Sequence, residues 1–157
     1  MRKMWDVQRI ADESCLDDLV AINEEAFTHP WTREMFLDEL REPGRSFLLA
    51  VFSGDPKVIG YCSVWKVVDD LQVNSIAVAK SYRGRGIGVA LLNAVVTLGC
   101  ELGAVSVFLE VRSSNTVARE LYRRLAFNET GYRTDYYSQP IEDAVILCRR
   151  LESPRPV

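Results

Sequence analysis

The sequence is poor in the residues that build metal centres. It has one histidine, His29, and four cysteines, Cys15, Cys62, Cys100 and Cys148, none of which forms a Cys-x-x-Cys pair. Protein zinc sites use cysteine and histidine ligands at short spacings, so we expect no metal. Cysteines scattered this widely are typical of reduced core residues in a cytoplasmic protein.

Long apolar runs are also missing. The first six residues carry positive charge without an apolar segment behind it, and even the run Val89–Leu98 is interrupted by Asn93 and Thr97. A secretory signal needs an apolar segment of 7–15 residues, and a membrane helix needs about 18 or more. We therefore predict a cytoplasmic protein with no membrane partner.

What is present is the composition of an ordinary folded domain. The 157 residues are 48% hydrophobic and 26% charged, which predicts one domain over residues 1–151 and a C-terminal tail at 152–157. The net charge of −3 argues against a bulk nucleic-acid binder. However, residues 1–75 hold 8 basic and 14 acidic side chains, whereas residues 76–157 hold 11 and 8. Opposite net charges of −6 and +3 suggest two different ligands, although solvated charge scatter is an alternative.

Hydrophobic periodicity predicts the order βααβββαβαββ. Strand patterns cover residues 5–10, 47–52, 58–66, 72–79, 105–111, 132–137 and 144–151. Helical patterns begin at Ser14 and at Thr32, both in N-cap positions, and cover 88–102 and 115–125. This order indicates an α+β fold, with one mixed, mostly antiparallel sheet flanked by helices on both faces.

A glycine-rich turn joins the fourth predicted strand to the long helix. Gly84, Gly86 and Gly88 let the backbone approach a ligand closely, and the amides at the helix start favour an anion. Arg83 and Arg85 add positive charge, so the turn is suited to a pyrophosphate; a plain turn with two solvated arginines is the alternative. No Gly-Lys-Ser/Thr sequence follows, and the turn comes too late in the chain for a dinucleotide fold.

This pattern, Arg83-x-x-Gly86-x-Gly88 after Ile76-Ala77-Val78, resembles the acetyl-CoA signature of the GNAT superfamily of N-acetyltransferases. Three further segments resemble one branch of it, the RimI-type ribosomal-protein alanine N-acetyltransferases. They are Pro30-Trp31-Thr32, the string from Leu109 to Asn115 with Leu121-Tyr122, and Tyr136-Tyr137 followed by Glu142-Asp143-Ala144.

The resemblance implies a GNAT-like fold and transfer of an acetyl group from acetyl-CoA to a protein N-terminal amine, such as that of a basic ribosomal protein. It implies that Glu110 accepts a proton, that Tyr122 donates one, and that Asn115 bonds the cofactor. The other implied cofactor residues are Ile76, Ala77, Val78, Arg83, Gly84, Arg85, Gly86, Ile87, Gly88 and Val89. The Val78 amide is the expected donor to the developing oxyanion.

The residues themselves are compatible with this chemistry. Glu110 is the one acid in an apolar strand, where partial burial would make it a better base; it could instead bridge to Arg112 or another surface arginine. Tyr122 shares a helix face with Asn115, and an apolar stripe of Val117, Leu121 and Leu125 lies beside that face. Tyr122 could also simply lie at the edge of the core. His29 lies far from these elements and is a weak candidate base.

Trp31, Tyr136 and Tyr137 are the candidate acceptor-binding residues, and the acidic first half would attract a cationic tail. Two rival functions stay open: acetylation of a small-molecule amine, and non-catalytic sensing of acetyl-CoA. One departure from the family is Ala126, where a glycine is usual. Because alanine at positive φ is costly, we expect the helix to end differently, with Asn128 as the candidate capping residue.

Overall fold

The computed structural model describes residues 5–54 and 56–152. The described elements are β1 (Val7–Arg9), α1 (Leu16–Ala26), α2 (Arg33–Leu40), β2 (Ser46–Phe52), β3 (Val58–Val67), β4 (Asp70–Val78), α3 (Ile87–Leu102), β5 (Ser106–Arg112), α4 (Thr116–Arg124), β6 (Asn128–Tyr137) and β7 (Glu142–Arg150). Short 3₁₀ turns precede α1 and follow β4. The predicted order of strands and helices is confirmed.

The strands form a mixed sheet in the order β1-β2-β3-β4-β5-β7-β6. β4 and β5 run parallel, whereas β1 with β2, β2 with β3, β5 with β7 and β6 with β7 are antiparallel. The chain divides into two compact units: residues up to 66 with 74–95, and residues 67–73 with those from 96 onward. No helix among the described residues has the length and apolar character that crossing a membrane requires.

In the first unit, helices cover both faces of the sheet. Leu48, Ala50 and Tyr61 share a core cluster with buried residues of α1 and α2. Gly60, next to Tyr61, faces the other side, where a Cβ atom would lie 2.7 Å from Ile87 Cγ2 of α3. Because neighbouring residues of a strand point to opposite faces, α3 packs on the face opposite α1 and α2.

The predicted start of α1 is wrong in detail. Asp12, rather than Ser14, caps the 3₁₀ turn that leads into the helix, and its carboxylate accepts a bond from the Ser14 amide at 2.9 Å. The start of α2 is as predicted, since Thr32 Oγ1 accepts from the Met35 amide at 3.2 Å. The cysteines are free, but only Cys62 is buried, and Cys100 is exposed on α3.

In the second unit, Glu142 stabilises the turn between β5 and α4 through hydrogen bonds. Its carboxylate accepts bonds from Ser113 Oγ at 3.1 Å and from the Ser114 amide, and it pairs with Arg112 at 3.3 Å. These bonds, those of Ser114 foremost, lower the pKa of Glu142 to about 2. The ionised carboxylate therefore stabilises the folded protein.

Ala126 ends α4 in the conformation that favours glycine. Its φ is +65°, its amide bonds to the Arg123 carbonyl, and the Phe127 amide bonds to the Tyr122 carbonyl at 3.0 Å. The rings of Tyr122 and Phe127 meet edge to face, 6.2 Å between centroids. This is a Schellman cap, so the expectation that Asn128 would cap the helix is wrong.

We predict that Ala126→Gly stabilises the protein by about 0.5–1 kcal/mol. The left-handed conformation costs alanine about 1–2 kcal/mol, and glycine avoids this cost. Part of the gain is lost, because glycine gives the unfolded chain more conformational entropy. Denaturant unfolding measures the difference. Ala118→Gly inside α4 is the matched control and should destabilise by about 1 kcal/mol. An unchanged or lower stability of the Ala126 variant would contradict the prediction.

We predict that Glu142→Gln lowers stability at neutral pH and that the deficit disappears in acid. The pKa of Glu142 is about 2 when folded, against an ordinary value of 4.5. Its contribution is therefore complete above about pH 4.5 and is lost as pH falls toward 2. Thermal unfolding midpoints of the variant and the wild type, from pH 7 to pH 2, measure this contribution. Glu101→Gln, at an exposed position of α3, is the control; a deficit independent of pH would refute the idea.

Candidate active site

The glycine-rich turn opens directly into α3. Gly84 and Gly86 have φ of +76° and +84°, and a Cβ at either position would meet nothing within 4 Å. The Ala90 amide bonds back to the Gly86 carbonyl at 3.0 Å, which makes Ile87, Gly88 and Val89 the first turn of the helix. Amides in a first turn have no partner within their own helix, and they present partial positive charge to an anion. The glycines and the helix start are placed as predicted, and binding of an anion at this turn stays a prediction.

Side chains around this turn hold its shape. Arg83 Nε donates to the Val78 carbonyl at 3.1 Å, and the Arg85 guanidinium lies 5.0 Å from the centroid of the Tyr82 ring. Trp5 Nε1 donates to the Arg85 carbonyl at 2.8 Å. Both arginines are exposed, so they add positive charge to an open surface rather than to the core.

The three strand residues before the turn are not equivalent. Ile76 and Val78 are partly exposed, whereas Ala77 between them is buried in the cluster with Leu48 and Tyr61. The Ala77 side chain therefore serves packing, and only its backbone groups can face a ligand. Alternation of side chains along β4 is the physical reason.

Glu110 lies in the second unit, on β5, and it is paired. Its Oε1 accepts from Arg133 Nε on β6 at 2.7 Å, and its side chain is only 16% exposed. The alternative contact foreseen for Glu110, an arginine ion pair, thus exists, but the partner is Arg133. Arg112 pairs instead with Glu142.

Two tyrosines lie beside this carboxylate. The rings of Tyr136 and Tyr137 are 5.1 Å apart, and the Arg112 guanidinium lies over Tyr137 at 4.4 Å. Burial, followed by the negative charge of Glu110, raises the pKa of Tyr136 and raises that of Tyr137 to about 12. Both phenols are therefore neutral hydrogen-bonding groups near neutral pH. The structure brings Glu110, Tyr136 and Tyr137 together.

The two remaining residues with a predicted role, Asn115 for the cofactor and Tyr122 as proton donor, belong to helix α4 and its N-cap. Asn115 is its N-cap, and Asn115 Oδ1 accepts from the Ala118 amide at 3.1 Å. Tyr122 is buried against Phe127, with 9% of its surface exposed. The apolar stripe predicted beside it is wrong at Val117, which is 82% exposed. Asn115 thus has a structural task in addition to any contact with a cofactor.

Trp31 lies in the first unit, at the connection between α1 and α2. Its ring packs on the buried Phe36 at 5.2 Å, and its backbone amide donates to Asn23 Oδ1 at 2.5 Å. Asn23 is fully buried and also bonds to Tyr61, whose hydroxyl lies 2.6 Å from Ser75 Oγ. This polar network fixes the backbone of Trp31. His29 is exposed in the same connection.

Sequence reasoning missed Asn23, Glu142 and Arg133. Asn23 had a signal, because it is a polar residue four positions after Leu19 on the buried face of α1. Glu142 was noticed only as part of a motif. Arg133 had no signal, since its contact with Glu110 depends on strand register. Among the described residues, no group of metal-binding side chains gathers closely enough to hold an ion.

Comparisons with known proteins agree with this architecture. The Acetyltransferase (GNAT) family matches residues 14–127. A Bacillus subtilis protein named "Putative ribosomal protein bS18-alanine N-acetyltransferase" is 38% identical over 132 residues, which cover 84% of this chain and 87% of that protein. The ribosomal protein bS18-alanine N-acetyltransferase of Salmonella typhimurium is 32% identical, covering 81% and 85%.

A solved structure gives the same result. The crystal structure of the ribosomal-protein-S18-alanine N-acetyltransferase from Escherichia coli has a TM-score of 0.86 and 27% identity, and the match covers 98% of this chain and 99% of that one. The family match spans more than half of the chain, and the Bacillus relative exceeds 30% identity over most of it. The chain therefore belongs to the GNAT family, whose members are acetyl-CoA-dependent acetyltransferases.

Proposed function

We propose that the protein transfers the acetyl group of acetyl-CoA to the N-terminal α-amine of a protein, with a ribosomal protein as acceptor. Residues 1–151 would form a single N-acetyltransferase domain for this reaction. The observation that supports this most is the partly covered Glu110 carboxylate beside two neutral tyrosines, in a chain 38% identical to a relative named for bS18. A cytoplasmic location, without nucleic-acid or membrane partners, stays a prediction.

The residues of the glycine-rich turn fit the cofactor. Coenzyme A carries a pyrophosphate, and a helix start preceded by two exposed positive-φ glycines and two exposed arginines suits that anion. The backbone of residues 76–78 and 84–89 would hold the pantetheine and pyrophosphate, and Asn115 would lie near the thioester arm. The Val78 amide would donate to the developing oxyanion. Bound acetyl-CoA supplies an activated acetyl group, so no metal or covalent acyl-enzyme is needed.

The proton transfers are assigned to two residues of the second unit. The amine nitrogen forms a bond to the carbonyl carbon, and the carbon–sulfur bond breaks. Glu110 receives the proton that the amine loses, directly or through a water, and Tyr122 donates a proton to the departing thiolate. Phenol and thiol pKa values of about 10 and 8.5 are close enough for that donation.

The acceptor side uses aromatic residues and negative charge. Trp31 is held in place by Asn23, and Tyr136 and Tyr137 can bond to a peptide backbone through their hydroxyl groups. Residues 12–42 contain ten acidic and two basic side chains, a net of −8. Such a surface attracts the basic tail of a ribosomal protein.

We predict that Glu110→Gln and Tyr122→Phe each lower kcat/KM for a peptide acceptor by about 10²-fold at pH 7, the lower end of acid–base contributions. The loss in Glu110→Gln should shrink as pH rises, because an N-terminal amine with a pKa of about 7.7–8.0 then deprotonates unaided. Thiol release measures both variants. Tyr132→Phe, at an exposed tyrosine, is the control, and wild-type rates in both variants would refute the assignments.

We predict that a peptide with a free N-terminal alanine and a basic tail is the preferred acceptor. The test is a library that varies the first four residues, compared with polyamines, amino sugars and the same peptides with blocked N-termini. Mass spectrometry should place the acetyl group on the α-amine. Higher kcat/KM for a polyamine or amino sugar would favour a small-molecule acetyltransferase. Absence of thiol release with every acceptor would favour a sensing module.

A further inference from the structure

The carboxylate proposed to accept the proton already has a cationic partner. Arg133 Nε donates to Glu110 Oε1 at 2.7 Å. The Glu110 side chain is 16% exposed and the Arg133 side chain is 55% exposed, so the arginine is the accessible member of the pair. An incoming amine that needs Glu110 therefore meets Arg133 there.

Strand register explains how the two side chains meet. In β7, Ile146 is the partner of Glu110 and Ala144 is the partner of Arg133. Residues two apart in a strand face the same side, so Glu110 and Arg133 lie on one face of the sheet with β7 between them. Ala144 presents only a methyl group, which lets the long arginine side chain pass over β7.

Arg133 is held more loosely than Arg112, the other arginine of this face. Arg112 donates to the backbone carbonyls of Ser138 and Pro140, pairs with Glu142 and lies over the Tyr137 ring. For Arg133 the described contacts are Glu110 and the Tyr136 ring, 5.8 Å from its guanidinium carbon to the ring centroid. That ring distance is near the limit of a cation–π contact, and water screens an ion pair whose arginine is 55% exposed.

We propose that Arg133 is a displaceable counter-ion of Glu110, whose place the N-terminal ammonium of the acceptor takes before proton transfer. This inference rests on the proposed function of Glu110. An N-terminal amine with a pKa of about 7.7–8.0 arrives mostly as a cation at pH 7, so it competes with Arg133 for the same carboxylate. Arg133 thereby sets the affinity for the acceptor and disfavours acceptors that bring no cation to Glu110.

The test replaces the guanidinium by a neutral side chain of similar length. Arg133→Met should lower the KM for the acceptor peptide by roughly 1.5- to 5-fold, the range set by exposed ion pairs, without lowering kcat. Arg133→Lys keeps the competing charge and should stay within about twofold of wild type. Arg123→Met is the matched control, because Arg123 is 64% exposed and pairs with Glu120 and Glu129 instead. Its KM should equal that of the wild type.

A binding measurement separates competition from a structural role. Calorimetric Kd values for the peptide in the presence of CoA should improve in Arg133→Met, whereas the same change made in Glu110→Gln should have no effect. If the wild type acetylates the peptide, an unchanged or higher KM, or a lower kcat, in Arg133→Met would overturn this inference alone. A wild type that acetylates no peptide would overturn the proposed function, and this inference with it.

Discussion

The close approach of β3 and α3 at Gly60 is the constraint on which the position of the glycine-rich turn depends. A Cβ at Gly60 would lie 2.7 Å from Ile87, the first residue of α3. Protein interiors are closely packed, so any larger residue would force the Ile87 side chain, at the helix start, to shift. The amides of the first turn can hold the proposed pyrophosphate only if that helix start is fixed. Packing on a buried strand residue thus controls the position of the glycine-rich turn.

In the second unit, the corresponding constraint is a set of paired charges on one face of the sheet. Arg112 with Glu142 is the rigid pair, because bonds to the turn after β5 and to the loop before β7 surround it. Glu110 with Arg133 is the pair proposed to exchange, because the described contacts of its arginine are otherwise limited to the Tyr136 ring. The two pairs have different parts in the proposed reaction: one holds the turn before Asn115 and the Tyr137 ring in place, and the other contains the carboxylate proposed to bind the acceptor.

Local patterns explain most of what could be predicted of the fold. Periodicity placed every strand and helix to within a few residues, because burial of one face imposes a period of two on strands and about 3.6 on helices. The largest boundary error is at β6, which begins at Asn128 rather than at Tyr132. The other errors lie at helix ends. Ser14 and Asp12 are both good capping residues, and the backbone conformation that leads into α1 decides which of them caps. Ala126 adopts positive φ because the Schellman bonds and the Tyr122–Phe127 contact offset the strain.

The sequence by itself determined the chemistry available: a glycine-rich helix start, one acid in an apolar strand, a tyrosine on the following helix and a tyrosine pair. These are properties of residue type and short spacing; they predicted a turn suited to a pyrophosphate, and the resemblance to the GNAT superfamily implied acetyl-CoA. Only the tertiary structure decided which charges meet. Glu110 and Arg133 are 23 residues apart, and they pair because β5 and β6 flank β7 in a register that sets Glu110 beside Ile146 and Arg133 beside Ala144, two residues away on the same face. Such a register follows from the turns and from which faces of all three strands are buried together, and no single segment of the chain encodes that combination.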